Sequence, residues 1–169
     1  MGDVIEFGCG TGYFTQVIAK NAKHVIATDL SDEMLEKAKI TLKEFRNVTI
    51  QKTNCEDTSF PSGRFDTVFM ANLIHVVVNP IKTLQESHQI LRDGGLLLII
   101  DFTGYSMKWF EKIKLGIRYL IKWGMPPRHA QNNLSPEKII SFVENVDFNV
   151  EEVQLIGYKA KALYLRARK

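Results

Sequence analysis

The segment Val4-Ile5-Glu6-Phe7-Gly8-Cys9-Gly10-Thr11-Gly12-Tyr13-Phe14 leaves this chain few ways to fold. An apolar run passes through one acid into glycines alternating as G-x-G-x-G. Glycine lets a buried strand turn sharply and brings bare backbone against a ligand, while the first N–H groups of the helix that follows are aimed at an anion. A strand, a tight turn and a helix in this order predict an α/β unit with a nucleotide-type binding loop.

The spacing selects among cofactors. The dinucleotide fingerprint is G-x-G-x-x-G, with one more residue before its third glycine and no acid required in front. Glu6-Phe7-Gly8-Cys9-Gly10-Thr11-Gly12 instead resembles the first motif of class I S-adenosylmethionine-dependent methyltransferases. Phe60-Pro61-Ser62-Gly63-Arg64-Phe65-Asp66 and Leu91-Arg92-Asp93-Gly94-Gly95 resemble landmarks of the ubiquinone/menaquinone-biosynthesis-like, small-molecule branch of that family, and the likeness covers roughly residues 3–102. The resemblance implies a three-layer Rossmann-like sheet and S-adenosyl-L-methionine as cofactor.

Along the chain, short apolar runs alternate with segments of 3.6-residue period, the pattern of a parallel sheet covered by helices. Strands are expected at 3–7, 24–28, from 48, at 65–70 and at 96–102; the last is aliphatic at successive positions, as for a strand buried on both faces. Helices are expected at 11–21, burying Phe14, Val17 and Ile18, and from an N-cap at Ser31 to about Arg46, with Met34, Leu35, Ala38 and Leu42 facing the core. Others should run from Pro80 to about Arg92 and start at Ser135-Pro136-Glu137. Two β-rich stretches, 148–156 and 159–167 around Gly157-Tyr158, predict an antiparallel terminal hairpin.

In such a sheet the ligand lies beyond the carboxyl ends of the strands. The first end supplies Glu6, Gly8, Cys9, Gly10 and Tyr13. The second ends at Asp29, followed by Leu30 and Met34; a carboxylate nineteen residues after Gly10 suits a ribose diol, since it accepts from both hydroxyls. At the third, the resemblance implies an acid or amide that contacts the adenine amino group, here Asn54 where Asp is usual, with the N–H of Cys55 reaching the ring. The fourth carries Asn72 and His75, where the family lines the methionine end of the cofactor and the acceptor pocket. His75 has two readings of equal weight, a base for an acceptor O–H or N–H and a wall of the cofactor pocket. His24 and His88 read as structural. Asp101 alone does not make an oxygen-ligand metal site, so no metal is expected; it either lines the acceptor pocket or pairs with a cation.

Methyl transfer from a sulfonium is a direct in-line displacement, for which positioning supplies most of the catalysis. No Asn-Pro-Pro-Tyr motif follows the fourth strand, where Asn72-Leu73-Ile74-His75 stands, so nucleic acid is disfavoured as acceptor. A small-molecule or lipid-like acceptor is the leading expectation. The alternative is a non-catalytic S-adenosylmethionine-binding module or subunit that needs a partner chain, and a nicotinamide-dependent dehydrogenase is a third reading that the glycine spacing disfavours.

At 169 residues and 45% hydrophobic, the chain has material for one compact core, so residues 1–169 are expected to form a single domain. Its two cysteines fit neither a disulfide framework nor a metal site, no export or lipidation signal opens the chain, and no apolar run approaches the ~20 residues of a membrane span. A soluble, cytoplasmic protein is expected. Charge is uneven: residues 1–104 hold 10 Lys+Arg against 13 Asp+Glu, and residues 105–169 hold 12 against 6. A basic surplus is most often a solvated face, and it also suits an anionic partner.

Within the basic part, 106–123 has the pattern of an amphipathic helix, with Trp109, Phe110, Ile113, Ile117, Leu120 and Ile121 near one stripe and Lys108, Lys112, Lys114, Arg118 and Lys122 mostly elsewhere. It reads either as a helix packed on the core or as a lid, spanning about 105–134, with affinity for a lipid-like substrate or membrane surface. Arg128 and His129 would lie near such a lid. The resemblance also implies one or two helices ahead of the first strand. Cover for the cofactor must then come from a longer parent product, from 105–134 or from a partner chain.

Overall fold

A computed structural model describes residues 2–111, 113–114, 116–117, 134–157 and 161–169. Its elements run β1 (Asp3–Phe7), α1 (Tyr13–Ala19), β2 (His24–Asp29), α2 (Asp32–Leu42), β3 (Val48–Lys52), β4 (Phe65–Ala71), α3 (Pro80–Ile90), β5 (Leu91–Thr103), α4 (Pro136–Glu144), β6 (Asn149–Ile156) and β7 (Lys161–Arg168). The seven strands form one sheet in the order β3-β2-β1-β4-β5-β7-β6. β1 to β5 pair in parallel, and β7 runs antiparallel between β5 and β6. The expected mostly parallel sheet with an antiparallel C-terminal hairpin is therefore present; Tyr158 lies outside the described residues.

Strand order reverses between β1 and β4, because β2 and β3 continue to one side and β5 to the other. Loops leaving neighbouring strands diverge there and open a crevice at their carboxyl ends. Helices cover both faces. On one face Ile5, Phe7, Val68, Met70, Leu97, Ile99, Leu163 and Leu165 pack with Leu84 of α3 and Ile139 and Val143 of α4. On the other, Val4, Val25 and Phe69 meet Ile18 and Ala19 of α1, and Ala27 meets Leu35, Ala38 and Leu42 of α2. Each fully buried Leu or Ile contributes about 1.5–3 kcal/mol.

Local chemistry explains the ends. Ser31 and Ser135 cap their helices through Oγ, which accepts from Met34 N at 3.4 Å and from Lys138 N at 3.2 Å. Asn79 caps α3 ahead of Pro80, and its Oδ1 accepts from Lys82 N at 3.1 Å. Several expectations are corrected. α1 is shorter than 11–21, and Val17 is 59% exposed: Thr15, Ile18 and Ala19 form the buried stripe, which puts residue 17 on the far side of the helix. α2 stops at Leu42, and Met34 is only half-buried.

The α3–β5 junction also differs. Leu91 is already extended at ψ 139°, so the helix ends before the Asp93-Gly94-Gly95 turn. That turn is a bulge inside a longer strand: Phe65 pairs with Leu91 and Thr67 with Leu96. The carboxyl terminus closes it, since Gly94 N donates to Lys169 O and Lys169 N to Gly95 O, each at 3.0 Å. Past the bulge, burial alternates rather than filling both faces. Leu97, Ile99, Asp101 and Thr103 are buried, while Leu96, Leu98, Ile100 and Phe102 are half-buried, Leu98 and Ile100 lying at the margin of the cluster that α1 forms on that face.

A Cβ on Gly95 would lie 2.8 Å from Arg92 O and 2.9 Å from a Leu91 methyl group. Backbone cannot give way as a side-chain tip does, so Gly95→Ala should lower the urea unfolding free energy by about 1–3 kcal/mol, read from the denaturation midpoint at unchanged slope.

Candidate functional site

The loops leaving β1, β2 and β3 are chained to one another. Asp29 is the link: its Oδ2 accepts from Gly10 N at 2.9 Å, its Oδ1 from Ser31 N at 2.9 Å, and its main-chain oxygen from Thr53 N at 3.1 Å. Cys9 N donates to Thr28 O at 2.8 Å, which seats the glycine loop on the end of β2. Asp29 is half-buried, and each carboxylate oxygen retains a second acceptor direction.

Gly8 and Gly10 differ in what they face. Gly8 has φ +70°, and a Cβ there would come within 2.9 Å of a Leu73 methyl, so the β1 loop lies directly against the loop after β4. Gly10, at φ +54°, has nothing within 4 Å of the position a Cβ would take. Beside that open space stand Tyr13, 71% exposed, and Leu30, 63% exposed. An open bare-backbone turn, a carboxylate at its edge and unsatisfied apolar surface form a donor set that fits a nucleoside with a ribose diol and an aromatic base.

Glu6 lies beneath the loop at 1% exposure, and Thr15 Oγ1 donates to its Oε2 at 2.5 Å. Burial pushes its carboxyl up to about 7, against the lowering effect of the Thr15 bond and with a smaller push from the Asp29 charge. Burial likewise raises the Cys9 thiol to about 12, with Glu6 and Asp29 adding to the effect, so Cys9 is no nucleophile at neutral pH.

At the end of β3, Asn54 is exposed and its Oδ1 accepts from Glu56 N at 3.0 Å in a local turn, while Cys55 is half-buried with Sγ 3.8 Å from Thr83 Oγ1. Glu56 then reaches the β4–α3 loop, accepting from Val78 N at 2.9 Å and Asn79 N at 3.0 Å. The third and fourth strand ends are thereby tied together.

The fourth end is held by β5. Asn72 takes φ +54°, a conformation asparagine tolerates better than most residues, donates its N–H to Ile100 O at 2.8 Å and accepts from Phe102 N through Oδ1 at 3.1 Å. His75, 8% exposed, donates its backbone N–H to Asp101 Oδ2 at 3.1 Å, and its ring Nδ1 hydrogen-bonds Asp101 Oδ1. Asp101 thus hydrogen-bonds His75 through both carboxylate oxygens.

Thr103, two residues on, joins both ends of the 105–133 segment: Tyr105 N donates to its hydroxyl at 3.0 Å, and the hydroxyl donates to Leu134 O at 2.6 Å. In the described part of 106–123 Met107 is buried, while the residues of the expected apolar stripe stay out of the core. Trp109 is 73% exposed, Phe110 41%, Ile113 52% and Ile117 53%. Lys112, Arg118, Leu120, Ile121, Lys122, Arg128 and His129 lie outside the described residues. No cluster of metal ligands occurs among the described residues, and none of their helices is long and apolar enough to cross a membrane.

Residues 5–99 match the methyltransferase domain family, more than half of the chain. The chain belongs to that family. It is 33% identical over 119 residues to a demethylmenaquinone methyltransferase of Tropheryma whipplei, covering 70% of this chain and 49% of that protein. A ubiquinone/menaquinone biosynthesis C-methyltransferase of Geobacter sp. is 29% identical over 118 residues, 66% of this chain and 50% of that protein. The chain thus spans about half the length of these relatives. An S-adenosylmethionine-dependent methyltransferase structure from Aquifex aeolicus shares the fold, with TM-score 0.76 and 22% identity over 98% of this chain and 81% of that one. S-adenosylmethionine is the cofactor that family and fold point to.

Two further site residues, Thr15 and Leu73, carry no motif signal: one is a helix position nine residues after Glu6, the other an unremarked aliphatic. Asp101 had a signal, a lone acid ending an aliphatic strand.

The raised Glu6 carboxyl gives a pH dependence of definite sign. Native Glu6 holds its proton up to about pH 7, against 4.5 for its ordinary value. Its contribution to stability is full below the lower value and is lost as pH rises toward the upper one. The wild type should therefore lose about 3 kcal/mol between pH 4.5 and 8 relative to Glu6→Gln, read as the difference of their urea unfolding free energies.

Proposed function

We propose that this chain moves the methyl group of S-adenosylmethionine to a small, lipid-like acceptor at the crevice between the β1 and β4 loops. One observation carries the reading. The open face of Gly10, bonded to Asp29 on one side, lies across the Gly8–Leu73 contact from the loop that bears His75.

In this reading Asp29 takes the ribose diol through its remaining acceptor directions, and Leu30, Met34 and Tyr13 flank the nucleoside. Asn54 and Cys55 meet the adenine, the Asn54 amide serving as an uncharged acceptor. Glu6, Gly8, Cys9 and Gly10 shape the floor. Asn72 and His75 border the methionine end and the acceptor, with His75 as the candidate proton acceptor. The bound cofactor supplies an electrophilic methyl group, and the protein's part is to align the acceptor with it and exclude water.

The acceptor class follows from two supports. Relatives are named for ubiquinone and menaquinone biosynthesis, and the segment rooted on Thr103 exposes Trp109, Phe110, Ile113 and Ile117 in company with Lys108 and Lys114. Exposed apolar side chains interspersed with lysines suit an acceptor that is itself oily, or one drawn from a membrane surface.

Titration calorimetry tests the donor half. S-adenosylmethionine should bind the wild type, and Asp29→Ala should weaken it at least tenfold, about 1.4 kcal/mol. No binding, or binding indifferent to the substitution, would count decisively against it. A panel of hydroquinones with increasing alkyl chains tests the acceptor half: S-adenosylhomocysteine formation should rise with chain length, and none from any member while the cofactor binds would remove it.

A further inference from the structure

Asp101 spends both carboxylate oxygens on one residue. Oδ2 accepts the backbone N–H of His75 at 3.1 Å, and Oδ1 lies on ring Nδ1. The carboxylate is fully buried on the β5 face that also carries Ile99 and Thr103. An ionised carboxylate only accepts, so the ring nitrogen facing it must carry a proton. The neutral imidazole then has its lone pair on Nε2. No described residue hydrogen-bonds Nε2, and the side chain keeps 11% of its surface exposed. The ring stands edge-on to Phe102 at 6.4 Å between centroids.

We propose that Asp101 is the positioning residue that fixes His75 in the Nδ1–H tautomer, so that Nε2 takes the proton of an acceptor bearing a phenolic or enolic hydroxyl. The inference rests on the methyl-transfer reading. A base in a fixed tautomer serves only an acceptor that must lose a proton. In the step, the acceptor O–H bond breaks and its proton goes to Nε2. The freed pair, on oxygen or on the ring carbon conjugated with it, forms the bond to the methyl carbon while the C–S bond breaks and its pair stays on sulfur. Positive charge thus passes from the sulfonium to the imidazolium, which forms beside a buried carboxylate.

Asp101→Asn gives a specific expectation. The His75 backbone N–H is a donor that cannot invert, so the amide oxygen must face it and the NH₂ group must face the ring. Nδ1 then becomes the acceptor and the proton moves to Nε2, occupying the site the substrate proton needs. The resulting loss should be large, as a general base contributes about 10²–10⁴-fold.

The test is nitrogen NMR of the ligand-free chain with labelled histidines, His75→Gln identifying the His75 signals among the four histidines. The wild type should show Nδ1 protonated and Nε2 bare, and Asp101→Asn the reverse, with kcat down about a hundredfold and the S-adenosylmethionine Kd unchanged. A wild-type spectrum with Nε2 protonated overturns the inference without need of any variant, as does a fall in kcat with no change of tautomer. Failure of the wild type to bind S-adenosylmethionine overturns the donor reading instead, and the tautomer result stands apart from it.

Discussion

One residue, Asp29, holds the loops of the candidate cofactor site together. Asp29 sits at the end of β2, yet its bonds reach Gly10 after β1, Ser31 at the cap of α2 and Thr53 after β3. Three loops that would otherwise move separately share one anchor, and two of the three bonds are charge-assisted. A glycine-rich turn has much conformational entropy to lose. Tying Gly10 to a strand end takes up that loss at folding rather than at ligand binding, which is the gain of preorganisation. The carboxylate that fastens Gly10 keeps an acceptor direction on each oxygen, so a ligand that met it there would find the loop already ordered.

The other half depends on register. Ala71 pairs with Ile100, which brings Asn72 opposite the main chain of residues 100 and 102 and lets the loop fold back so that His75 meets Asp101. That register is reached through the Gly94-Gly95 bulge, where four residues of β5 are passed over between Leu91 and Leu96. A slip of one residue would move Asp101 to the other face of the sheet. The bulge stands at the far end of β5 from the site, yet it decides whether the histidine has a partner.

Much of this was legible in the sequence. Hydrophobic period, the caps at Ser31 and Ser135, and glycine spacing depend on neighbours within a few residues, so the succession of strands and helices along the chain and the residues at four strand ends could be read. What could not be read is non-local. Val17 has the composition of a core residue and lies on the wrong side of its helix; a run from Leu96 to Ile100 suggests two covered faces, and only packing shows that one is better covered. Asp101 was visible as an anomaly, but its partner lies 26 residues away and was found by register alone. The basic surplus after residue 105 resolves in part into pairs on the hairpin, where Arg166 and Arg168 meet Glu151 at 3.0 and 2.8 Å. Arg168 holds the Glu151 carboxyl below its usual range.

The glycine loop that most constrains the fold also divides by role. Gly8 and Gly12 are required by packing, since a Cβ at either would press on Leu73 or Leu42 at 2.9 Å, and both contacts serve the core whatever the loop binds. Gly10 presses on nothing and faces the open crevice. A triple-glycine turn therefore reports chiefly that a strand, a helix and a neighbouring loop meet closely, and its middle residue is the one whose missing side chain leaves open space. In the proposed reading the destination of the methyl group lies elsewhere, in the side chains that β4 and β5 bring together, so that the motif points to the donor while Asp101 and His75 would bear on the acceptor.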